Sequence, residues 1–303
     1  MSRLVALVCN DPDRLRCVLL PAEGQLVASP DPVTQPRGFD AWGIGLYQGG
    51  EVLLKRRPQP TLGPVNFNQI AGELRTDTFI AHARDATVGD NRNENTHPFR
   101  YRSWLFAHHG TLPGFGPAAG TSDPARPSAE QLALTEALLA EIPDFLRRNL
   151  RGQTDSELLF HLFLTRLHEA GQLDVADVRM QDAEAALEVT IRRLDYLLQQ
   201  RGLDPHALGV VVLANGRFLI AAARGEALYL SRTTGIKDCA VCRDRDPEGR
   251  AHPVDHDNLR AVLLVAGIAE APTAPFHQVS DGALVAIARD LTVVERPLPA
   301  DAK

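Results

Sequence analysis

The chain is poor in cysteine: Cys9, Cys17, Cys239 and Cys242 are the four present among 303 residues. That is too few for the disulfide framework of a secreted domain of this length. Long hydrophobic runs are missing too, and none approaches the ~20 residues needed to span a bilayer. The apolar run that follows Met1-Ser2-Arg3 stops at Val8, short of a secretory signal with its small-residue cleavage site. The expectation is a cytoplasmic protein with no membrane partner. Basic stripes are absent as well: the formal net charge is −6 and the Lys and Arg residues are scattered. Phosphate binding needs clustered cations, so a nucleic-acid partner is not expected. No internal repeat or low-complexity linker divides the chain, and one domain over 1–303 is the expectation.

What is present suits an ordinary packed core. The apolar fraction is 44% and the charged fraction 23%, enough to bury a core without metal or disulfide staples. Residues 3–9 read as a buried strand. Trp42 to Tyr47 and Val52 to Lys55 read as a hairpin through Gln48-Gly49-Gly50. Thr78 to Ala83 and Trp104 to His108 are further strands around a polar loop, and 112–127 reads as loop.

The apolar period then changes from two to about 3.6 residues over a helical middle, 128–200. Ser128 caps a helix running through Leu139. Thr154-Asp155-Ser156 opens another that carries Leu158, Leu159, Leu162 and Leu167. A third runs from about Asp182 to Gln200, with Leu187, Ile191, Leu194 and Leu198 on one face. Strands return over 207–298: 209–214 and 217–222 around Asn215-Gly216, then 227–231, 259–265, 283–288 and 293–297. Strands, helices and strands again, with short connections, predict an α+β protein with mainly antiparallel sheets covered by helices.

Four segments carry chemistry. The first is Met1-Ser2. The second is Asp40-Ala41-Trp42-Gly43-Ile44-Gly45. The third is His82-Ala83-Arg84-Asp85-Ala86-Thr87 with Asn95-Thr96-His97-Pro98-Phe99. The fourth is Phe106-Ala107-His108-His109-Gly110-Thr111-Leu112, followed by Gly152-Gln153-Thr154-Asp155-Ser156-Glu157. In this order over residues 1–160 they resemble the glutaminase domain of class II glutamine amidotransferases. The strands after residue 207 hold no diagnostic motif, though they suit stand-alone relatives that hydrolyse γ-glutamyl compounds.

The resemblance implies a four-layer αββα sandwich of the N-terminal nucleophile hydrolase type. It also implies a catalytic set of Ser2, His109 and Gly110, and substrate contacts at Arg84, Thr87, His97 and Asp155. A chain-terminal nucleophile carries its own base, an α-amine whose pKa of about 7.7–8.0 leaves a neutral fraction at pH 7. That amine exists once Met1 is removed. Arg84 would take the substrate carboxylate with its planar fork, and Asp155 the α-ammonium group. Gly110 would supply an oxyanion-hole N–H, whose loss typically costs ~10²–10³ in rate. The implied small-molecule substrate is glutamine or a γ-glutamyl amide, with a separate synthase as the possible consumer of ammonia.

The pattern departs from the family at three places. Ser2 stands where the family has Cys, His109 where it has Asn, and Asp85 where several relatives have an aromatic residue. A serine depends more on the amine for activation than a thiol does. A histidine donates to an oxyanion through a ring N–H, with different reach. Three readings stand: an amide hydrolase, an amino-acid-binding or regulatory module that has lost the reaction, and a zinc-stabilised interaction protein.

Bland readings apply to the same residues. Arg84 and Asp155 can form a structural ion pair, and His97 can be a core histidine. His82 and His108, inside strands, read as packed and hydrogen-bonded, and Trp42 and Trp104 as core. No cofactor is expected. Outside the family pattern, Cys239-x-x-Cys242 with His252 and His256 resembles a Cys₂His₂ zinc set, with a reduced surface loop as the competing reading.

Overall fold

Beyond Arg3 every residue of the first strand is apolar, a pattern that suits a strand covered on both faces. In the computed structural model of the chain that strand, β1 (Arg3–Cys9), lies inside a sheet with Leu4 to Cys9 all buried. The structure describes residues 2–19, 27–28, 39–59, 65–66, 74–115, 128–245, 251–268, 272 and 275–299.

The strands that follow are β2 (Val27–Ala28), β3 (Ala41–Gln48), β4 (Glu51–Arg57), β5 (Val65–Asn66), β6 (Thr78–Arg84), β7 (Phe99–Tyr101) and β8 (Trp104–His109). After the helices come β9 (Gly209–Ala214), β10 (Phe218–Arg224), β11 (Leu228–Ile236), β12 (Asp244–Arg245) and β13 (Ala251–His252). The last are β14 (His256–Ala266), β15 (Phe276–Gln278), β16 (Ala283–Ala288) and β17 (Val293–Pro297). Two sheets dominate. One has the order β15-β11-β14-β1-β6-β3-β4 and the other β17-β16-β10-β9-β8-β7. Neighbouring strands within each run antiparallel.

The turns explain the pairing. Gly49 and Gly50 both adopt positive φ between β3 and β4. Asn215 folds its side-chain oxygen onto the Arg217 N–H, 3.0 Å, between β9 and β10.

Side-chain alternation then sorts three apolar layers. Leu4, Ala6 and Val8 face the second sheet and meet Leu105, Ala107, Val210 and Val212. Val5, Leu7 and Cys9 face the opposite way, toward Leu15, Cys17, Leu19 and Phe39. The far face of the second sheet, with Phe106, Val211, Leu213 and Ile220, packs on the helices.

Those helices are Ala129–Glu141, Asp144–Arg147, Asp155–Glu169 and Met180–Gln199. Ser128 and Thr154 cap two of them, accepting from the Gln131 and Glu157 N–H groups as their positions predict. Leu187, Ile191, Leu194 and Leu198 all enter the core; each such burial is worth roughly 1.5–3 kcal/mol. The observed architecture is thus α+β, two antiparallel sheets with helices. On the outer face of the first sheet, the helix among the described residues is the short Leu15–Leu19 segment, joined there by Phe39 and Cys239. No helix among the described residues is long and apolar enough to cross a membrane.

Sequence and structure differ mainly at edges. The three-residue strands β7 and β15 are too short to show a period. β11 runs on to Ile236 and β14 starts at His256, beyond the spans 227–231 and 259–265, because their paired ends are polar and shift register between Thr234 and Ile236. The loop read over 112–127 lies outside the described residues beyond position 115. The glycines after Trp42 are packing positions. A Cβ at Gly43 would sit 2.2 Å from the His97 carbonyl oxygen, and one at Gly45 would sit 2.9 Å from Leu105 Cδ1.

Candidate active site

Antiparallel pairing of β1 with β6 places Arg3 opposite Ala83, so Ser2 arrives beside Arg84 and Asp85. The Asp85 N–H donates to Ser2 Oγ at 2.9 Å, and Ser2 Oγ lies 3.4 Å from the Asp85 carbonyl oxygen. On its other side β1 pairs with β14, Leu4 opposite Ala266, which brings Gly267 against Ser2. Gly267 has φ +77°, and a Cβ there would fall 2.0 Å from Ser2 O and 2.8 Å from His109 Cε1. Only glycine fits that corner.

The turn after β6 is held by Asp40, whose Oδ2 accepts from the Ala86 N–H at 2.7 Å while its own N–H donates to Arg84 O at 2.9 Å. Arg84 is buried, and its guanidinium donates to Val88 O (2.5 Å), Gly89 O (3.1 Å), Asp90 O (3.3 Å) and Asn91 Oδ1 (3.1 Å). Burial lowers its pKa, opposed by the carboxylates of Asp40, Asp155, Asp90 and Asp85. Thr87 and Thr111 share a hydroxyl–hydroxyl bond of 2.6 Å.

Asp155 is the first residue of its helix, where the macrodipole favours a negative charge. Its Oδ2 accepts from the Leu112 N–H at 2.8 Å, and its Oδ1 from the Ser156 N–H at 2.8 Å. Ser156 Oγ lies 3.0 Å from His108 Nδ1, and His108 Nε2 lies 2.8 Å from Leu208 O. A carbonyl oxygen only accepts, so Nε2 carries a proton.

His82 and His97 lie against each other with ring centroids 4.4 Å apart and planes tilted by 47°. All four of their ring nitrogens are buried without a hydrogen-bond partner among the described residues. Burial, reinforced by nearby histidines and Arg84, drives both pKa values well below the ordinary histidine range. Both rings are therefore neutral near pH 7.

Ser2, Arg84, Thr87, His97, Gly110 and Asp155 all line one cleft of about 20 Å³, together with His82, His108 and Ser156. That is space for about one water. His109 is not among the lining residues. Strand alternation turns His108 toward the cleft and His109 toward Gly267, where burial and then the nearness of His108 lower its pKa to about 4. Larger cavities of about 560 and 610 Å³ lie elsewhere and include none of the site residues read from the sequence. Arginines wall the first, and Arg56 and Arg100 there already donate to backbone carbonyls.

Sequence reasoning missed Asp40 as the clamp on the turn, Ser156 as the partner of His108, and Gly267. The first two sit inside motifs, next to Trp42 and Asp155. Gly267 has no local signal and is placed by strand register alone.

The fold and cleft define a two-sheet α+β protein with a hydroxyl nucleophile candidate at the start of its first strand. The model of the class II glutamine amidotransferases matches residues 1–298, and the chain belongs to that family. It is 28% identical over 174 residues to the probable glutamine amidotransferase DUG3 of Saccharomyces cerevisiae, covering 54% of this chain and 43% of that protein. It is 34% identical over 129 residues to the gamma-glutamyl-hercynylcysteine sulfoxide hydrolase of Mycobacterium tuberculosis, covering 41% of this chain and 53% of that one. The matched regions thus span about half the length of these curated relatives. The solved glutamine aminotransferase class-II domain protein of Silicibacter pomeroyi superposes with a TM-score of 0.55 at 18% identity, over 98% of this chain and 100% of that one. At that identity the likeness speaks for the fold.

Proposed function

We propose that this chain is a glutaminase-type amide hydrolase. It would cleave the side-chain amide of glutamine or of a γ-glutamyl compound through Ser2, exposed as the first residue by removal of Met1. The observation that carries the reading is the meeting of Ser2 with Arg84, His97, Gly110 and Asp155 in one cleft. The α-amine of Ser2 takes the hydroxyl proton as Oγ attacks the amide carbon. The Gly110 N–H serves the oxyanion, and His109, packed on Gly267 beside Ser2, positions the nucleophile from behind. The proton passes to the leaving nitrogen, ammonia or an amine departs, and water cleaves the Ser2 ester to free the glutamyl acid. Ammonia goes to solvent or to a separate synthase. Asp155 pairs with the substrate ammonium, and Arg84 turns from its loop carbonyls to the carboxylate.

A second reading, an amino-acid-binding or regulatory module, draws support from two observations. The cleft is only about 20 Å³, and the four hydrogen bonds described for Arg84 all go to residues 88–91. Incubation of Met1-free protein with glutamine and a panel of γ-glutamyl amides separates the two. Glutamate release that disappears in Ser2→Ala supports the hydrolase. Saturable binding of the same compounds without release supports the module and refutes the hydrolase.

A further inference from the structure

Cys17, Cys239, Cys242 and His256 come together on the outer face of the first sheet, and the cleft chemistry uses none of them. Each offers one ligand atom, and the four atoms lie within 4.8 Å of one another. They arrive from three separate parts of the chain. Cys17 is on the helix Leu15–Leu19, Cys239 and Cys242 lie in the turn after β11, and His256 opens β14. We propose that these four side chains hold a single zinc ion as a closed Cys₃His structural site.

The geometry fits one ion. Zinc at about 2.3 Å from each thiolate sets tetrahedral sulfurs about 3.8 Å apart, and Cys17 Sγ lies 3.4 Å from Cys242 Sγ. All these cysteines are free thiols. Three thiols cannot all pair as disulfides, whereas three thiolates and an imidazole complete a zinc tetrahedron. Soft thiolates with one nitrogen select zinc over the hard cations.

The turn is pre-shaped. Cys239 O accepts from the Cys242 N–H (3.1 Å) and the Arg243 N–H (2.8 Å), while the Cys239 N–H donates to Val254 O (2.8 Å). This closes the Cys-x-x-Cys segment and points it back at the strand that carries His256. Nε2 of His256 is buried without a hydrogen-bond partner among the described residues, so the ring lacks a partner that ligation would supply. Three thiolates and Zn²⁺ leave one net negative charge, and Arg14 Nη1 stands 3.3 Å from Cys242 Sγ to offset it. Cys17 and Cys239 are buried among apolar neighbours of the same layer, which shields the thiolates from solvent.

Of the set suggested by spacing alone, Cys239, Cys242 and His256 are kept. His252 is exposed on β13, paired in register with Asp244, and is not in the cluster. Cys17 takes the fourth place, a residue that no local spacing connects to the others. Four protein ligands leave no open position, so the ion ties the helix after β1 to the β11–β14 arm instead of doing chemistry. Binding displaces three thiol protons to solvent, so affinity falls as the pH drops.

The test is metal analysis of the full chain purified without chelators, followed by replacement of the bound metal with cobalt. The expected result is about one zinc per chain and a thiolate-to-cobalt charge-transfer band with the d–d absorption of a tetrahedral ion. Cys17→Ser and His256→Ala should fall below about a tenth of an equivalent, whereas Cys9→Ser and His252→Ala keep the full equivalent. Should a ligand variant not fold, the cobalt spectrum of the unaltered chain still decides. An unaltered chain that carries no zinc and gives no charge-transfer band with cobalt overturns the proposal. So does loss of metal in His252→Ala alongside its retention in Cys17→Ser.

Discussion

The two ends of β1 carry two different kinds of polar cluster. At its start, Ser2 meets Asp85, Gly267 and the histidines of the cleft. Past its end, Cys17 meets Cys239, Cys242 and His256. The first cluster is built from polar side chains whose hydrogen bonds go to loop backbone or, for His82 and His97, find no partner among the described residues. The second is built from soft ligands in an apolar layer, as a staple is. On the two proposals above, β1 positions a reaction at one end and anchors the fold at the other, and the two roles should separate under mutation.

The sharpest way to break the comparison is Ser2→Ala, which should lower turnover of the preferred γ-glutamyl amide by ~10⁴-fold or more. Its melting temperature should stay close to that of the unaltered protein. A comparable loss of melting temperature would make Ser2 a structural residue. Next in size is Asp155→Asn. Removing one partner of a buried charge pair costs about 2–5 kcal/mol, so kcat/KM should fall by ~30-fold to several thousand-fold, mainly through KM. An unchanged KM would remove Asp155 from the substrate.

The third effect is acid sensitivity. Unfolded His109 has its ordinary pKa of 6.5, and the folded residue about 4. Between those values the unfolded chain binds a proton that the folded chain refuses, so stability rises with pH there. The contribution is fully present above 6.5, is lost as the pH falls toward 4, and amounts to about 3 kcal/mol. His82 and His97 act in the same direction. Urea midpoints measured from pH 8 down to 4 should fall, and His109→Gln should flatten the curve. A flat profile in the unaltered chain would contradict burial of neutral imidazoles.

The smallest effect is Gly43→Ala. Its Cβ would collide with the His97 carbonyl, and overpacking of this kind costs about 1–3 kcal/mol. The denaturation midpoint should shift accordingly, and no shift would mean that the His97 segment gives way freely.

The cleft was legible in the sequence because its residues sit in short contiguous motifs. Ser2, Arg84, Thr87, His97, Gly110 and Asp155 were named through the family resemblance that those motifs carry, and the structure brings the six to one cleft; the strands that carry them showed clear apolar runs. What was not legible depends on register. The side of β8 that His109 faces follows from pairing with β9, His109 opposite Val210, and Gly267 reaches Ser2 only because Ala266 pairs with Leu4. Cys17 was likewise out of reach, since nothing near it in sequence marks it as a ligand. The Cys-x-x-Cys spacing pointed to three members of the cluster, with His252 where the structure places Cys17. Spacing rules see one segment at a time, and this cluster joins three.

The most direct test of the central reading is the requirement for a free amine on Ser2. Glutamate release from γ-glutamyl amides would be compared between protein whose mass shows Ser2 as the first residue and protein carrying one extra residue ahead of it. The expected result is turnover by the first and none by the second, with both folded to the same melting temperature. Equal turnover by the two, or silence in the first while substrate still binds, would contradict Ser2 as an amine-activated nucleophile.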